Sequence, residues 1–277
     1  MAAGPELLGA GRVRELLREH GIRPTKSLGQ NFVVDPNTIR KVVDAGGLDP
    51  TDAVVEIGAG CGSLTLGLVA AANRVVAVEV DPRLVQLLRR VTSGVTNVEV
   101  VKADALRLDL DALGVSKLVG NLPYNVAATL VVHVLESYAS IRQLTVMTQR
   151  EVGERLAAEP GNKVYGTTSV MVGFHASARL VGRVSRRAFF PEPNVDSAIV
   201  RVERRPRLPE VDPRVFRRVV RAAFSQRRKM LRGTLAPVLG RDVDEILQGA
   251  GVDPDARPEA LGWEGFVAIT AQLAGDA

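Results

Sequence analysis

Residues 53–63 read Ala-Val-Val-Glu-Ile-Gly-Ala-Gly-Cys-Gly-Ser, and this stretch decides the fold. The first five residues are mostly apolar and predict a buried strand, and Leu64 begins a pattern that predicts a helix. A strand, a glycine loop and a helix N-terminus together are typical of a nucleotide-cofactor site, because glycine lets the backbone approach a ligand closely. Ser63 stands where a dinucleotide fingerprint has a third glycine or alanine. The loop therefore favours the methionine-type tail of S-adenosylmethionine over a pyrophosphate.

Two acidic side chains come at the ends of the next two predicted strands. Glu79 lies at the end of the strand predicted over 74–80, 21 residues after Gly58, the separation at which a carboxylate accepts hydrogen bonds from ribose hydroxyls. Asp104 follows the strand predicted over 98–102, where it can reach the adenine end of a cofactor. Either acid considered alone fits a helix cap or a surface charge as well as it fits a cofactor contact. Their occurrence at successive strand ends favours the cofactor role.

The stretch Asn-Leu-Pro-Tyr occupies 121–124, between an apolar strand end at 117–120 and an apolar helix predicted over 126–135. Enzymes of the α/β class place their chemistry on such strand-to-helix turns. The carboxamide oxygen of Asn121 and the carbonyl before the proline can accept hydrogen bonds from a flat amino group, and the Tyr124 ring can stack on the same base. We therefore predict a site that methylates an amino group of a nucleobase. A simple turn is the alternative, because Asn-x-Pro is common in loops.

The composition favours a soluble cytoplasmic enzyme. The chain has 277 residues, 46% of them hydrophobic, which is enough for one large domain or a domain with an appendage. The single cysteine, Cys61, excludes a disulfide within the chain and fits a reducing compartment. No apolar run reaches the length of a membrane span, and the N-terminus has no apolar signal core. His20, His133 and His175 match no metal-ligand spacing, so we expect no metal.

Positive charge is concentrated in one part of the chain. Residues 183–232 hold 15 Lys and Arg against five Asp and Glu, whereas residues 1–150 hold 16 against 15. The block ends in a compact cluster, Gln226-Arg227-Arg228-Lys229, which suits backbone phosphates. A basic block of this kind favours a nucleic-acid surface. A solvated face of an arginine-rich helix is the alternative.

The order of the predicted elements indicates an α/β fold followed by a small all-helical domain. Further strands are predicted over 144–147, 178–184 and 197–202, and the segment 169–175 is ambiguous between helix and strand. Beyond a linker-like stretch at 204–209, helical patterns occupy 215–224, 230–239, 243–247 and 263–273. We therefore predict a catalytic domain over 1–206 and a helical C-terminal domain over 207–277.

Two loops are candidate parts of the site. Residues 24–35 read as a polar surface loop or as a flap over a ligand, with Asn31 as a polar contact. Phe189 and Phe190 stand beside two prolines in a stiff loop. One of these rings suits a hydrophobic plug, and the other could stack on a base opposite Tyr124.

Five motifs, in this order, resemble the small-subunit rRNA adenine N6,N6-dimethyltransferases, the KsgA/RsmA family, and the likeness covers nearly the whole chain. They are Ser-Leu-Gly-Gln-Asn-Phe at 27–32, Glu-Ile-Gly-Ala-Gly-Cys-Gly at 56–62, Asn-Leu-Pro-Tyr-Asn at 121–125, Phe-Pro-Glu-Pro-Asn-Val-Asp-Ser at 190–197 and Phe-Ser-Gln-Arg-Arg-Lys at 224–229. The departures are mild. Ala59 replaces a proline and Cys61 a leucine that relatives often have, which should alter the shape of the loop rather than its chemistry.

The resemblance implies a Rossmann-like, S-adenosylmethionine-dependent methyltransferase with a small all-helical C-terminal domain. Members of the family dimethylate N6 of two adjacent adenosines in a loop near the 3′ end of 16S rRNA. They act on a late assembly intermediate of the small ribosomal subunit. The resemblance therefore implies 16S rRNA as the partner and a role in small-subunit biogenesis, and we expect a monomer.

The resemblance also implies roles for individual residues. The expected S-adenosylmethionine contacts are Asn31, Val33, Gly58, Gly60, Glu79, Asp104 and Asn121. The expected catalytic set is Asn121, Leu122, Pro123, Tyr124 and Phe190. In that set, Asn121 and the Leu122 carbonyl would hold the target amino group, while Tyr124 and Phe190 would stack on the base. The expected RNA-binding residues are Arg227, Arg228 and Lys229.

Rival functions share much of this pattern. An Erm-type methyltransferase dimethylates large-subunit rRNA and confers macrolide resistance, but Leu122 stands where isoleucine is common in that group. A non-catalytic ribosome-assembly or transcription factor on the same fold would not require the intact glycine loop and tetrapeptide. A small-molecule methyltransferase would not require the basic block. Dimethylation of small-subunit rRNA is therefore the favoured hypothesis.

Overall fold

The computed structural model describes residues 5–25, 29–226, 228–240 and 242–273. The chain forms two compact units: the first comprises Met1–Gly153 and Ala178–Arg204, and the second Glu154–Ser177 and Arg205–Ala277. The chain passes from the first unit to the second for the last time after Arg204, two residues before the predicted domain boundary at 206. The predicted catalytic domain, however, included 154–177, which here belongs with the C-terminal helices. A unit is defined by which residues pack together and not by their order in the chain. Nothing in the composition of residues 154–177 indicates that they pack with the C-terminal helices.

The first unit is built on a seven-stranded sheet. Its strands are β2 (Ala53–Ile57), β3 (Arg74–Glu79), β4 (Val98–Lys102), β5 (Lys117–Asn121), β6 (Gln143–Gln149), β7 (Ala176–Val184) and β9 (Ser197–Arg204). Their order is β4-β3-β2-β5-β6-β9-β7; the strands from β4 to β6 are parallel, and β9 is antiparallel to β6. The order reverses between β2 and β5, which is where open α/β sheets bind their ligands. The predicted Rossmann-like sheet is confirmed.

A second, very short ladder joins two segments that were predicted as loops. β1 (Phe32–Val33) pairs antiparallel with β8 (Phe189–Phe190), so that Phe32 lies opposite Phe190 and Val33 opposite Phe189. Each strand has only two residues, which is too short for a periodic pattern to reveal it. The ladder ties the loop around Asn31 to the aromatic loop.

The helices of the first unit begin at signals that are visible in the sequence. They are α1 (Ala10–Glu19), α2 (Pro36–Gly46), α3 (Ser63–Val69), α4 (Pro82–Val91) and α5 (Ala127–Ser137), with α6 (Arg150–Leu156) running across the boundary at Gly153. Both α2 and α4 start with an Asp-Pro pair. The carboxylate of Asp35 accepts from the N–H groups of Asn37 and Thr38, and that of Asp81 from Arg83. Proline suits the first helical position because no donor is needed there.

Two apolar clusters hold these helices in place. In one, α2 and α3 pack against the sheet through Ile39, Val42, Leu64, Leu68, Val54, Val75 and Val119. In the other, α1 packs with α4 through Val13, Leu16, Leu17, Leu84 and Leu87. Each such side chain contributes roughly 1.5–3 kcal/mol when it is fully buried. The clusters therefore make a rigid base for the loops at the strand ends.

Apart from Ala176 and Ser177, which begin β7, the regular elements in the described residues of the second unit are helices. Its helices are α7 (Thr167–His175), α8 (Pro213–Ala223), α9 (Leu231–Leu239), α10 (Val243–Gly249) and α11 (Trp263–Gln272). The four predicted C-terminal helices are confirmed to within two residues at each end. The ambiguous segment forms α7, whose apolar residues are buried on all sides and so show no helical period. The rings of Phe174 and Phe216 pack with their centroids 4.2 Å apart in this core. In the described part of the chain, no helix is long and apolar enough to cross a membrane.

Candidate active site

A cavity of about 350 Å³ opens at the carboxyl ends of four adjacent strands, β4, β3, β2 and β5. Its lining includes eight predicted site residues: Asn31, Val33, Gly58, Gly60, Glu79, Asp104, Asn121 and Pro123. Six of them follow or end the four strands, and the other two belong to residues 29–33, which we call the flap. All seven predicted cofactor contacts therefore surround one space, although they are far apart in the chain.

The glycine loop, residues 58–62, turns tightly between β2 and α3. The N–H groups of Gly58 and Ala59 donate to the Val78 carbonyl at 2.9 and 3.1 Å, which ties the loop to β3. Gly60 has a φ of +59°, and a Cβ at this position would lie 3.1 Å from the Phe32 ring. Glycine is therefore needed both for the left-handed backbone and for the close approach of the flap.

Glu79 is 7% exposed, and its carboxylate is held by the backbone. One oxygen, Oε2, accepts from the N–H of Gly60 at 2.9 Å; the other, Oε1, accepts from the N–H groups of Val80 and Asp81 at 2.8 and 2.9 Å. Burial raises the pKa of Glu79 above its ordinary value, and these backbone donors oppose the rise. Since each carboxylate oxygen has two acceptor sites, the fixed group can still accept from ligand hydroxyls.

The second strand-end carboxylate, Asp104, is half exposed, and its Oδ1 accepts from the N–H of Leu106 at 3.0 Å. Two apolar side chains that the sequence analysis missed line the cavity beside these acids. Val80, directly after β3, is 53% exposed, and Leu106, four residues after β4, is 38% exposed. The available signal was an apolar residue one or two positions after each acid. Such side chains suit the flat faces of an adenine ring.

The side chain of Asn121 is oriented by the flap. Its Nδ2 donates to the backbone carbonyl of Asn31 at 2.8 Å. Because the amide nitrogen is engaged in this way, the Oδ1 atom remains as a hydrogen-bond acceptor beside the cavity. Pro123 packs on the same flap, since a Cβ at Gly29 would lie 2.9 Å from the Pro123 Cβ.

The other two members of the tetrapeptide lie next to the cavity rather than in its lining. The Leu122 side chain is buried, and its N–H donates to the Met147 carbonyl at 2.9 Å. No described residue donates to the Leu122 carbonyl. The hydroxyl of Tyr124 lies 3.3 Å from the Ser197 Oγ, and burial raises the pKa of this tyrosine. The tetrapeptide thus combines an anchored backbone with unused acceptors.

Phe189 and Phe190 have different surroundings. Phe189 is 4% exposed and packs in the apolar cluster with Val33 and Met147. Phe190 is half-buried, does not line the cavity, and has the Arg14 guanidinium carbon 5.1 Å from its ring centroid. One ring is therefore a hydrophobic plug, and the other remains accessible.

Two further polar residues of the cavity were not assigned a role from the sequence. Gln30 links the flap to the start of α4: its Nε2 donates to Asp81 Oδ2 at 3.2 Å, and its Oε1 accepts from the N–H of Thr25 at 2.8 Å. Glu56 is 1% exposed, and its Oε2 accepts from Thr65 Oγ1 at 2.5 Å. Burial raises the pKa of Glu56 to about 8, so this side chain is mainly a neutral acid at pH 7. Gln30 belongs to a quoted motif, but its partner is distant in the chain.

The predicted RNA-binding cluster belongs to the second unit. Arg227 lies outside the described residues. Arg228 and Lys229 are exposed and follow the short helical turn Phe224–Gln226, where the N–H of Lys229 donates to the Gln226 carbonyl at 2.9 Å. Both side chains are therefore accessible to a phosphate.

A comparison with known proteins decides the family. Residues 22–274 match the family described as ribosomal RNA adenine dimethylase. The chain belongs to this family. Membership confirms the predicted S-adenosylmethionine-dependent methyltransferase, an enzyme that modifies adenine in rRNA.

Named relatives cover nearly the whole chain. The chain is 45% identical over 278 residues to the ribosomal RNA small subunit methyltransferase A of Thermobifida fusca, covering 97% of this chain and 96% of the relative. It is 47% identical over 281 residues to the protein of the same name in Kineococcus radiotolerans, covering 98% and 93%.

Solved structures share the fold. A crystal structure of the 23S rRNA methyltransferase ErmE is 30% identical, with a TM-score of 0.70 over 88% of this chain and all of that one. A dimethyladenosine transferase from Plasmodium falciparum has a TM-score of 0.79 at 22% identity, covering 88% of this chain and 98% of that one. The second likeness shows the fold alone.

Proposed function

We propose that this enzyme dimethylates N6 of two adjacent adenosines in a loop near the 3′ end of 16S rRNA, as a step in the biogenesis of the small ribosomal subunit. We infer that it does so as a cytoplasmic monomer acting on the small subunit or its precursor. The main support for this reaction is the position of the Asn121 amide. Its nitrogen is held by a hydrogen bond to the Asn31 carbonyl, and its oxygen is an acceptor beside the cavity. Support for the small-subunit substrate comes from the full-length likeness at 45–47% identity, against 30% for the 23S enzyme.

The cavity residues fit S-adenosylmethionine. Two carboxylates at adjacent strand ends, Glu79 and Asp104, offer acceptors for ribose hydroxyls and for the adenine end. The exposed side chains of Val80 and Leu106 offer apolar contacts for the faces of the adenine ring. Glycines at 58 and 60 keep the loop free of side chains, and Asn31 and Val33 close the cavity from the flap. When bound there, S-adenosylmethionine supplies an electrophilic methyl group.

The tetrapeptide would prepare the target amino group. The N6 lone pair of adenine is delocalised into the ring and is therefore a weak nucleophile. Two acceptors, Asn121 Oδ1 and the Leu122 carbonyl, would take hydrogen bonds from the amino N–H groups and favour a pyramidal nitrogen whose lone pair points into the cavity. Pro123 fixes the turn without adding a competing N–H donor. No general base is assigned, because the proton can leave to water after transfer, and the residues act by positioning and electrostatics.

The target base must leave its stack to reach this site. Enzymes that modify bases extrude them and hold them against aromatic side chains. Tyr124 and Phe190 are the proposed stacking rings, and the assignment of Phe190 rests on its motif and its partial exposure. We assign contacts with the RNA backbone to Arg227, Arg228 and Lys229, since phosphate contacts supply most of the sequence-independent affinity.

The deciding experiment offers both rRNAs to the enzyme. Small-subunit particles that lack the modification and naked 23S rRNA are incubated with S-adenosylmethionine, and the nucleosides are analysed by mass spectrometry. Dimethyladenosine from the small-subunit particle alone is the expected result. Product from 23S rRNA alone would overturn the proposed substrate in favour of the Erm type. No product from either RNA, with S-adenosylmethionine still bound, would favour a binding factor.

A further inference from the structure

The flap is attached to the rest of the first unit on both sides of Asn31. After Asn31, Phe32 begins the short ladder between β1 and β8. Before it, the Nε2 of Gln30 donates to Asp81 Oδ2 at 3.2 Å, and the Oε1 of Gln30 accepts from the N–H of Thr25 at 2.8 Å. Both ends of the Gln30 amide are therefore engaged, which fixes its orientation. The backbone at Asn31 is thus held between two fixed neighbours.

Asp81 is the charged partner in the attachment before Asn31. It is buried, it is the N-cap of α4, and its carboxylate accepts from both the N–H and the guanidinium of Arg83. The hydrogen bonds from the Arg83 side chain lower the pKa of Asp81 to about 2, so the group is a charged acceptor at neutral pH. The N–H of Asp81 donates to Glu79 Oε1 at 2.9 Å. Asp81 therefore joins the flap to the carboxylate that we propose for the ribose.

Two other helices begin with the same Asp-Pro pair and show what capping alone requires. Asp35 accepts from residues in the first turn of α2, and Asp212 accepts from the N–H of Arg214 in the first turn of α8. Of these three caps, in the part of the chain that the structure describes, Asp81 is the one that also accepts from a side chain outside its own helix, 51 positions away. The contact with the flap is therefore additional to capping.

We propose that Asp81 is a positioning residue for methyl transfer, because it holds the flap in place through Gln30. The flap in turn orients the Asn121 amide, whose Nδ2 donates to the Asn31 carbonyl at 2.8 Å. Asp81 lies outside the lining of the cavity, so it acts through these residues and not on the ligands. A misplacement of about 1 Å at a reacting group can cost roughly 10²-fold in rate, so even a small shift of the flap slows the reaction. This inference rests on the proposed role of Asn121.

The test reverses the polarity of the bond between Gln30 and Asp81. Gln30→Glu keeps the shape of the side chain but removes the donor and places two carboxylates together. The single-turnover rate at saturating S-adenosylmethionine should fall by about 10- to 100-fold, the factor that a hydrogen bond to a charged group is worth. Addition of Asp81→Asn provides a donor opposite the new acceptor and should restore the rate to within about 3-fold of the wild type, which is the non-additivity expected of a direct pair. The RNA is whichever rRNA the wild-type enzyme methylates.

Asp81→Ser tests the same bond from the other side, and Asp212→Ser is its matched control. Serine caps a helix about as well as aspartate does, so both changes keep the cap, but the shorter side chain at position 81 cannot reach Gln30. Asp81→Ser should lower the rate by about 10-fold, whereas Asp212→Ser should stay within about 2-fold of the wild type. Amide hydrogen exchange over residues 29–33 should be faster in Asp81→Ser and Gln30→Glu, and normal in the double variant and in the control.

Three results would overturn the proposal: wild-type rates in Gln30→Glu or Asp81→Ser, no recovery when Asp81→Asn is added to Gln30→Glu, or an equal loss in Asp212→Ser. Thermal unfolding verifies that each variant is folded; if Gln30→Glu is not, Asp81→Ser decides. Hydrogen exchange needs no turnover, so wild-type exchange of the flap in either variant also refutes the proposal.

The role of Asp81 and the proposed role of Asn121 can fail separately. Full turnover in Asn121→Ala refutes the role of Asn121, whatever the flap variants do. A slow Asn121→Ala variant beside a wild-type rate in folded Gln30→Glu refutes only the role of Asp81.

Discussion

The Nδ2 atom of Asn121 donates a hydrogen bond to the carbonyl oxygen of Asn31, 2.8 Å away. The two residues are 90 positions apart, yet this contact determines which end of the Asn121 amide remains available. Gly29 and Pro123 make a second contact between the same two loops. The flap is therefore part of the apparatus that orients the tetrapeptide, and not merely a cover over the cavity.

Replacement of Asn121 by alanine removes the acceptor oxygen while leaving the cavity in place. We expect methyl transfer to fall by about 10²–10³-fold, the usual effect of removing one positioned polar group from a site, while S-adenosylmethionine still binds measurably. Single-turnover methylation and calorimetric binding measure the two effects. Asn37→Ala, an exposed change on α2, serves as the control. Retained turnover in Asn121→Ala would count against the proposed role.

Gly29→Ala tests the contact between the flap and Pro123. Gly29 has a φ of +63° and Gly21 a φ of +60°, but a Cβ at Gly29 meets Pro123 whereas a Cβ at Gly21 meets nothing within 4 Å. Both alanines should cost about 1–2 kcal/mol from the left-handed backbone. Only Gly29→Ala should also lower the rate of methylation, because it displaces the partner of Asn121. Equal activity in the two folded variants would show that the flap contact is dispensable.

Glu56 should make stability depend on pH. Burial raises its pKa from 4.5 to about 8. Between pH 4.5 and about 8 the Glu56 carboxyl is ionised in the unfolded chain but protonated in the folded chain. The contribution of Glu56 to the free energy of unfolding is therefore fully present below pH 4.5 and is lost as the pH rises to about 8. The free energy of unfolding, taken relative to Glu56→Gln, should fall by up to about 1.4 kcal/mol per pH unit in that interval. Denaturant titrations at several pH values measure the difference, and the exposed change Glu99→Gln controls for the loss of one charge. A flat difference for Glu56→Gln would refute the raised pKa.

The Arg204 side chain caps the C-terminus of α5, the helix that follows the tetrapeptide. Its guanidinium donates to backbone carbonyls at and beyond the end of α5: Val134, Leu135, Tyr138 and Ile141, at 3.3, 3.0, 2.8 and 2.8 Å. Arg204→Met would remove the donor from the Leu135, Tyr138 and Ile141 carbonyls, while the Val134 carbonyl would keep the N–H of Tyr138 at 3.1 Å. The change should lower the free energy of unfolding by about 3 kcal/mol. Arg89→Met, on an exposed position of α4, should change it by less than about 0.5 kcal/mol. Similar unfolding midpoints for the two variants would contradict this account.

Substitutions of the two adjacent phenylalanines should have different effects, one mainly on stability and the other mainly on activity. Phe189→Leu removes a buried ring and should mainly destabilise the protein. Phe190→Leu should leave stability nearly unchanged but slow methyl transfer by about 10- to 100-fold if its ring supplies base stacking worth roughly 1–3 kcal/mol. Thermal unfolding and methylation rates distinguish the effects. A rate loss confined to a stable Phe189→Leu variant would move the stacking role to Phe189.

Local patterns were sufficient for much of the fold. The strand, glycine loop and helix at 53–69, the strand ends at Glu79 and Asp104, and the C-terminal helices all follow from hydrophobic periodicity and from turn residues, which act over a few positions. The same reasoning could not recognise α7, because a helix that is buried on all sides has no polar face. It also could not detect the ladder between Phe32–Val33 and Phe189–Phe190, whose strands are only two residues long.

The sequence by itself determined which residue types the site contains and that they stand at strand ends. Only the tertiary structure decided how they meet: the strand order β4-β3-β2-β5 sets Asp104, Glu79, the glycine loop and Asn121 side by side. Tertiary packing also decided that Asn31 orients Asn121, that Gln30 reaches Asp81, and that residues 154–177 join the C-terminal helices. The physical reason is that periodicity and turn chemistry are local. Strand pairing and side-chain hydrogen bonds instead join groups that are brought together only when the whole core closes.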